Sequence, residues 1–159
     1  MKRIFFAPVA DIGDNSKFRQ TAINGISVKG KSKKVWGVIS PEVTWNRLSS
    51  GDLLYIYNKG FIVYKATIIS KFQDTALSEK IWSPKHKIDG TILFYDKIMI
   101  LDDVYSCKID FGVFKILAGY KDKASVRKFI ELSELGYENL KKQFGTIEKL
   151  EKNYPQQCV

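Results

Sequence analysis

GDLLYIYNKGFIVYKATIISKFQDTALSEKIW, residues 51–82, read together with Trp36 upstream, decides the fold. The runs Leu53 to Tyr57 and Phe61 to Ile69 are rich in Tyr, Phe, Ile and Val and predict paired strands, with Asn58, Lys59 and Gly60 as a short hairpin connection. Neither run alternates strictly between apolar and polar residues. Cover on both faces is therefore expected, as in a small closed or strongly curled barrel. After the second strand, Thr75 to Ile81 predicts a short helix, Trp82 follows it, and Pro84 stops regular structure.

A chain of 159 residues is expected to fold as one domain and to bury roughly two thirds of its unfolded surface without staples. Residues 1–120 are expected to form its β-barrel core and 121–159 a helical C-terminal part leading towards a linker. Cys107 and Cys158 match neither a CxxC spacing nor a disulfide framework, and with His86 as the single histidine no zinc set can be assembled. No cofactor is expected. The start, MKRIFFAPVADIGD, has a basic opening but only a short apolar run that meets Asp11 and Asp14, and no run approaches the ~20 apolar residues of a membrane span, so a cytoplasmic location is expected. The net charge of +9 excludes little but favours a polyanion partner through counterion release, and an aromatic content of 13% suits base stacking. A merely basic protein would have the same composition.

Outward from the central stretch, Arg3 to Val9 predicts a strand, and Ser16 to Asn24 a helix capped by Ser16. KGKSKK at 29–34 is the densest basic cluster: a solvated loop, or a set of phosphate contacts through Lys29, Lys31, Lys33 and Lys34. Val35 to Ile39 predicts a strand, and Val43 to Leu48 a helical turn carrying Trp45. Thr91 to Tyr95, Lys97 to Leu101 and Val104 to Ile109 read as β, with Asp102 and Asp103 as a turn, and Phe111 to Leu117 as the strand that closes the sheet. Ser125 is expected to cap a helix over VRKFIELSEL, with further short helices over Tyr137 to Phe144 and Thr146 to Tyr154.

GISVKGKS, residues 25–32, fits the G-x-x-x-x-G-K-S phosphate loop, and KIMILDD at 97–103 resembles its Mg²⁺-holding strand. That loop works only between a buried strand and a helix whose N-terminal amides hold the phosphates. Here TAIN precedes it, and KKVWGVISP, β-rich and ended by a proline, follows. A nucleotide-hydrolysing enzyme is thus the weakest of three readings, and no nucleophile, base and orienter set supports another enzyme.

Trp36, Trp45, Tyr55, Tyr57, Phe61, Tyr64 and Trp82 crowd the hairpin region. Core packing accounts for each singly. Trp36 before the hairpin and Trp82 after it are also placed to sandwich a planar guest.

VWGV, GDLLYIYNKGFIVYKATIIS and EKIW resemble the PUA-like superfamily in its EVE and YTH branches, over roughly residues 3–115. FFAPVAD, KFRQTAINGI, GDLLYIY and LSEKIW are further similar to N-terminal specificity domains of McrB-type modification-dependent restriction systems. The resemblance implies an α+β fold, a small curled barrel flanked by short helices. It also implies a non-catalytic reader of modified DNA that flips a base, N6-methyladenine first, into an aromatic cage. GTPase and nuclease partners would be fused or separate. Trp36 and Trp82 match the cage tryptophans, Tyr57 and Phe94 are alternatives for the third ring, and Asn15 and Ser40 lie where polar contacts to the base or backbone are expected. A methyl group contributes only about 0.8 kcal/mol of transfer, so stacking at about 1–3 kcal/mol per base must offset most of the cost of flipping. The same superfamily implies the remaining reading, an RNA reader.

Overall fold

The computed structural model describes residues 2–9 and 23–159. Strands β1 (Ile4–Pro8), β2 (Ile26–Val28), β3 (Lys31–Val38), β4 (Leu53–Asn58), β5 (Phe61–Gln73), β8 (Lys97–Asp110), β9 (Ile130–Glu131) and β10 (Gln156–Cys158) form one sheet, and β6 (Lys85–His86) pairs with β7 (Ile92–Leu93) in a separate hairpin. Short helices α1 (Glu42–Arg47), α2 (Thr75–Ile81), α3 (Gly112–Ala118), α4 (Glu134–Gln143) and α5 (Ile147–Glu151) decorate the sheet.

The expected hairpin is its centre. β4 and β5 pair from Leu53↔Thr67 to Asn58↔Phe61, leaving Lys59 and Gly60 as the turn. β1 lies parallel to β4, and β5 continues along β8 in the longest ladder of the molecule. That ladder shifts register between Ile62 and Tyr64, Lys65 and Thr67, and Ile68 and Ser70. Each irregularity adds bend and twist, which is how the sheet curls.

Both faces are covered, as the non-alternating strands require. Phe5, Ala7, Leu54, Ile56, Ala66 and Ile68 enter one apolar cluster, which also holds Trp36, Trp45 and Trp82. The alternate residues of β1 and β4, Ile4, Phe6 and Tyr55, enter a second, beneath α3, α4 and α5, together with Ile62 from beyond the register shifts of β5. Every residue of β1 is buried.

Several expectations are corrected. The barrel does not close: the strand order β2-β3-β8-β5-β4-β1-β9 is an open path, with β10 added beside β8. Asp102 and Asp103 do not turn the chain; they lie inside β8, with Asp103 at φ 48° opposite an irregular stretch of β5. Phe111 to Leu117 is no strand. The Asp110 carboxylate accepts from the Gly112 N–H at 2.8 Å, and Phe114, Leu117 and Ala118 line up on one face of α3.

The C-terminal part is not simply helical either. Residues 125–129 form no helix. Phe129 stacks on Phe5 with ring centroids 5.3 Å apart, and β9 pairs with β1, so tertiary contact overrides the local pattern. The helix starts only at Glu134, where the Ser133 hydroxyl accepts from the Gly136 N–H. The tail, read as the start of a linker, pairs as β10 with Tyr105, Ser106 and Cys107. The helix expected over residues 16–24 falls outside the described residues except for Ile23 and Asn24, which are helical. No helix among the described residues is long and apolar enough to cross a membrane.

Candidate functional site

Gly25 to Ser32 is a β-hairpin. β2 pairs with β3 from Ile26↔Lys33 to Val28↔Lys31, and the turn between them holds Lys29 at φ 49° and Gly30 at φ 79°. Two successive positive φ values make the tight turn that fits the twist of a hairpin. No helix follows, so the amides that cradle phosphates in a nucleotide-hydrolase loop are missing, and the phosphate-loop reading is overturned.

β3 then carries Trp36 into the core opposite Met99 of β8. Trp36 is fully buried. Trp82 arrives from the other side of the hairpin region. The Asp74 carboxylate accepts from the Leu77 N–H at 2.9 Å to start α2, Ile81 anchors the helix, and the Trp82 N–H donates to the Ser78 carbonyl at 2.8 Å. Trp82 itself is extended, at φ −126° and ψ 138°, which turns its ring back onto the sheet. There it meets Gly37: a Cβ at that position would lie 2.4 Å from Trp82 Cζ3 and 2.5 Å from the Tyr95 carbonyl oxygen. Adjacent side chains on a strand project to opposite faces. Trp82 thus covers the bare Gly37 face of β3, while Trp36 fills the other.

The indole Nε1 atoms of Trp36 and Trp82 are buried and have no hydrogen-bond acceptor among the described residues. Buried donors are satisfied in the large majority of cases, and each orphan costs about 1–3 kcal/mol. Both expected tryptophans thus belong to one apolar cluster, on opposite faces of β3 rather than face to face, and each carries a donor unanswered among the described residues.

The remaining expected residues divide. Phe94 is half-buried in the loop that delivers the Tyr95 carbonyl to Gly37, so it stands next to the Trp82 contact. Tyr57 belongs to the second cluster, where it packs edge-on against Phe111 with centroids 5.1 Å apart. It lies across the sheet from Trp36 and Trp82. Ser40 donates its hydroxyl to the Pro41 carbonyl at 3.0 Å, and its own carbonyl accepts from Lys97 Nζ at 2.6 Å. Lys97, almost fully buried, also pairs with Glu42 at 2.9 Å, which pins the start of α1 to β8. Asn15 lies outside the described residues.

Among the lysines, Lys29, Lys31 and Lys33 are exposed on the β2–β3 hairpin. Lys34 is different: half-buried, it donates to the carbonyl oxygen of Val159 and so ties β3 to the tail. Beside the hairpin runs a groove of about 630 Å³ whose walls include Lys29, Lys71, Lys80 and Leu77. Lys71 is engaged there, with its ammonium on the Trp45 carbonyl at 2.6 Å and 5.3 Å from the Trp45 ring centroid. Gly37, Tyr95 and Lys80 did not stand out in the sequence. A glycine inside a strand pattern, next to a tryptophan, is the signal of close approach that identifies the first of them.

No protein-family model matches the chain, and no curated protein matches it in sequence. A solved structure does: the N-terminal domain of Thermococcus gammatolerans McrB bound to m5C DNA, at 13% sequence identity and a TM-score of 0.56, over 92% of this chain and 99% of that one. This chain has the fold of that domain. Among the described residues, no group of His, Cys, Asp and Glu is placed to hold a metal ion.

Proposed function

We propose that the chain is a non-catalytic module that reads methylated DNA by extruding the modified base and holding it against Trp82 on the Gly37 face of β3, with Phe94 as a further ring and Trp36 backing that strand from its other face. The observation that carries this reading is the pair of buried indoles whose N–H groups find no acceptor among the described residues. A nucleobase supplies what they lack, namely a π-face for stacking and ring nitrogens or carbonyl oxygens as acceptors.

In the conformation described, Trp82 rests against Gly37 and leaves no room for a base. Binding therefore moves the Trp82 ring off the bare strand and lets the base take its place beside the Gly37 backbone. Extrusion costs a few kcal/mol, and stacking returns about 1–3 kcal/mol per base. Lys29, Lys31 and Lys33 hold phosphates on the rim and add affinity that is blind to sequence.

The shared fold supports a nucleic-acid partner, since the similar domain was solved with methylated DNA. N6-methyladenine is the guest that the sequence resemblance favours; 5-methylcytosine is the second reading, favoured by the m5C DNA of that neighbour. In a restriction system of the McrB type, such a module would deliver specificity to GTPase and nuclease partners.

The test is substitution of the rings. Trp36→Ala and Trp82→Ala are each expected to abolish the preference for methylated over plain duplex while salt-sensitive binding to both persists. Folded variants that keep the preference would reduce the tryptophans to core packing.

A further inference from the structure

We infer that the β6–β7 hairpin is a wedge that enters the duplex at the site of base extrusion, with Ile88 as the side chain that fills the gap. The inference rests on the reading of the chain as a base-extruding DNA module, and adds to it a part that none of the cage residues supplies.

The hairpin grows directly out of the cage. Trp82 is followed by Ser83, Pro84 and β6, and β7 runs into Phe94 and Tyr95, whose carbonyl abuts Gly37. Its two stems therefore stand on the ring that must move and on the loop beside it. Its tip is a fixed turn. The Lys87 N–H donates to the Thr91 carbonyl at 2.9 Å, the Gly90 N–H donates to the Lys87 carbonyl at 3.0 Å, and the Asp89 carboxylate accepts from the Thr91 N–H at 2.9 Å. Gly90, at φ 87°, provides the left-handed residue that such a tip needs.

At the apex sits isoleucine. Ile88 has a relative exposure of 109%, the highest of the exposed large apolar side chains among the described residues, ahead of Ile116 at 76% and Val43 at 74%. A rigid turn that holds an aliphatic side chain wholly in water has paid its ordering entropy in advance. Its surroundings point to the occupant. Lys85, His86 and Lys87 are exposed on the same hairpin and Lys80 at the end of α2, against a single exposed acid in residues 83–93, Asp89, whose carboxylate accepts from the Thr91 N–H. An apolar tip within a basic collar is complementary to a stack of bases between phosphates, and aliphatic wedges are an established way of parting base steps. Ile88 lies six positions beyond Trp82, a reach of at most about 20 Å, so ring and wedge face the same short stretch of duplex.

The experiment compares wild type with Ile88→Ala on a duplex carrying the preferred modified base and on the same modified strand alone. Ile88 contacts so little that the alanine variant keeps the fold. Parting a stack is needed only in the duplex. The variant is expected to bind the duplex about tenfold more weakly and the single strand as wild type does. An equal loss on both substrates would make Ile88 an ordinary contact, and no loss on either would leave the tip outside the DNA interface; each overturns the wedge. Failure of the underlying reading looks different: wild type itself would then show no preference for modified duplex.

Discussion

The Trp82 ring occupies the space that a side chain at Gly37 would fill, since a Cβ there would lie 2.4 Å from Cζ3 and 2.8 Å from Cη2 of the indole. The contact joins the strand that carries Trp36 to the helix that delivers Trp82, and it is where the base is proposed to enter.

Gly37→Ala tests that contact. The methyl group meets both the ring and the Tyr95 carbonyl, so relief requires Trp82 to leave its seat. Overpacking of this kind costs about 1–3 kcal/mol. The melting temperature should fall, tryptophan emission should shift to the red, and the preference for methylated duplex should drop because the methyl also obstructs the base. Unchanged emission would show that the ring is not the element that yields.

Trp82→Phe separates the ring from its N–H. Phenylalanine keeps an aromatic face but removes a donor that is orphaned among the described residues, an orphan costing about 1–3 kcal/mol. The lost volume works in the opposite direction, so thermal stability should stay within about 1 kcal/mol of wild type. Selectivity should nevertheless fall, because the acceptor on the base loses its partner. Retained selectivity would mean that stacking alone reads the base.

The exposed lysines should behave as phosphate contacts. Replacing Lys29, Lys31 and Lys33 with alanine is expected to weaken plain and methylated duplexes alike and to reduce the slope of log affinity against log salt by about one unit per lysine. Lys34→Ala is expected to leave that slope nearly unchanged and to loosen the tail, because its ammonium is held by the Val159 carbonyl. A selectivity change in the triple variant would refute the assignment.

The second cluster contains a buried polar knot that fixes α5 to the sheet. The Tyr55 hydroxyl and the Lys65 ammonium both donate to the Glu151 carboxylate, and burial together with that carboxylate pushes the Tyr55 hydroxyl well above its ordinary pKa. Glu151→Ala leaves a hydroxyl and a largely buried ammonium without their acceptor and should cost about 3 kcal/mol in denaturant unfolding. DNA selectivity of the folded fraction should not change. A loss below about 1 kcal/mol would show that solvent satisfies both groups.

The central hairpin was legible because Leu53 to Ile69 is dominated by strand formers around a glycine turn, and its lack of alternation correctly implied cover on both faces. Thr75 to Ile81 was legible from its helical pattern and from the proline beyond it, while its Asp74 cap emerged only in the structure. The edges were not. Phe111 to Leu117 has the apolar content of a strand, and only the turn set by the Asp110–Gly112 hydrogen bond and the spacing of Phe114, Leu117 and Ala118 mark it as helical. VRKFIE has helical spacing, yet Phe129 is drawn to Phe5 and Ile130 to β1, contacts more than a hundred residues apart in sequence. In the site, Trp36 and Trp82 stood out because tryptophan is rare, whereas Gly37 matters through the side chain it lacks. Tyr57 was misplaced for a simpler reason. Its register puts it on the Tyr55 face of β4, and a one-residue difference along a strand is a change of face.

The measurement that tests the central claim most directly is a titration of the protein at fixed salt against matched duplexes, plain, N6-methyladenine-containing and 5-methylcytosine-containing, with the same strands as RNA. Tighter binding to one methylated DNA than to its plain counterpart and to RNA is the predicted result, and it names the guest. Equal, salt-sensitive affinity for every duplex would contradict the account and leave Trp36 and Trp82 as core packing in a generic basic domain.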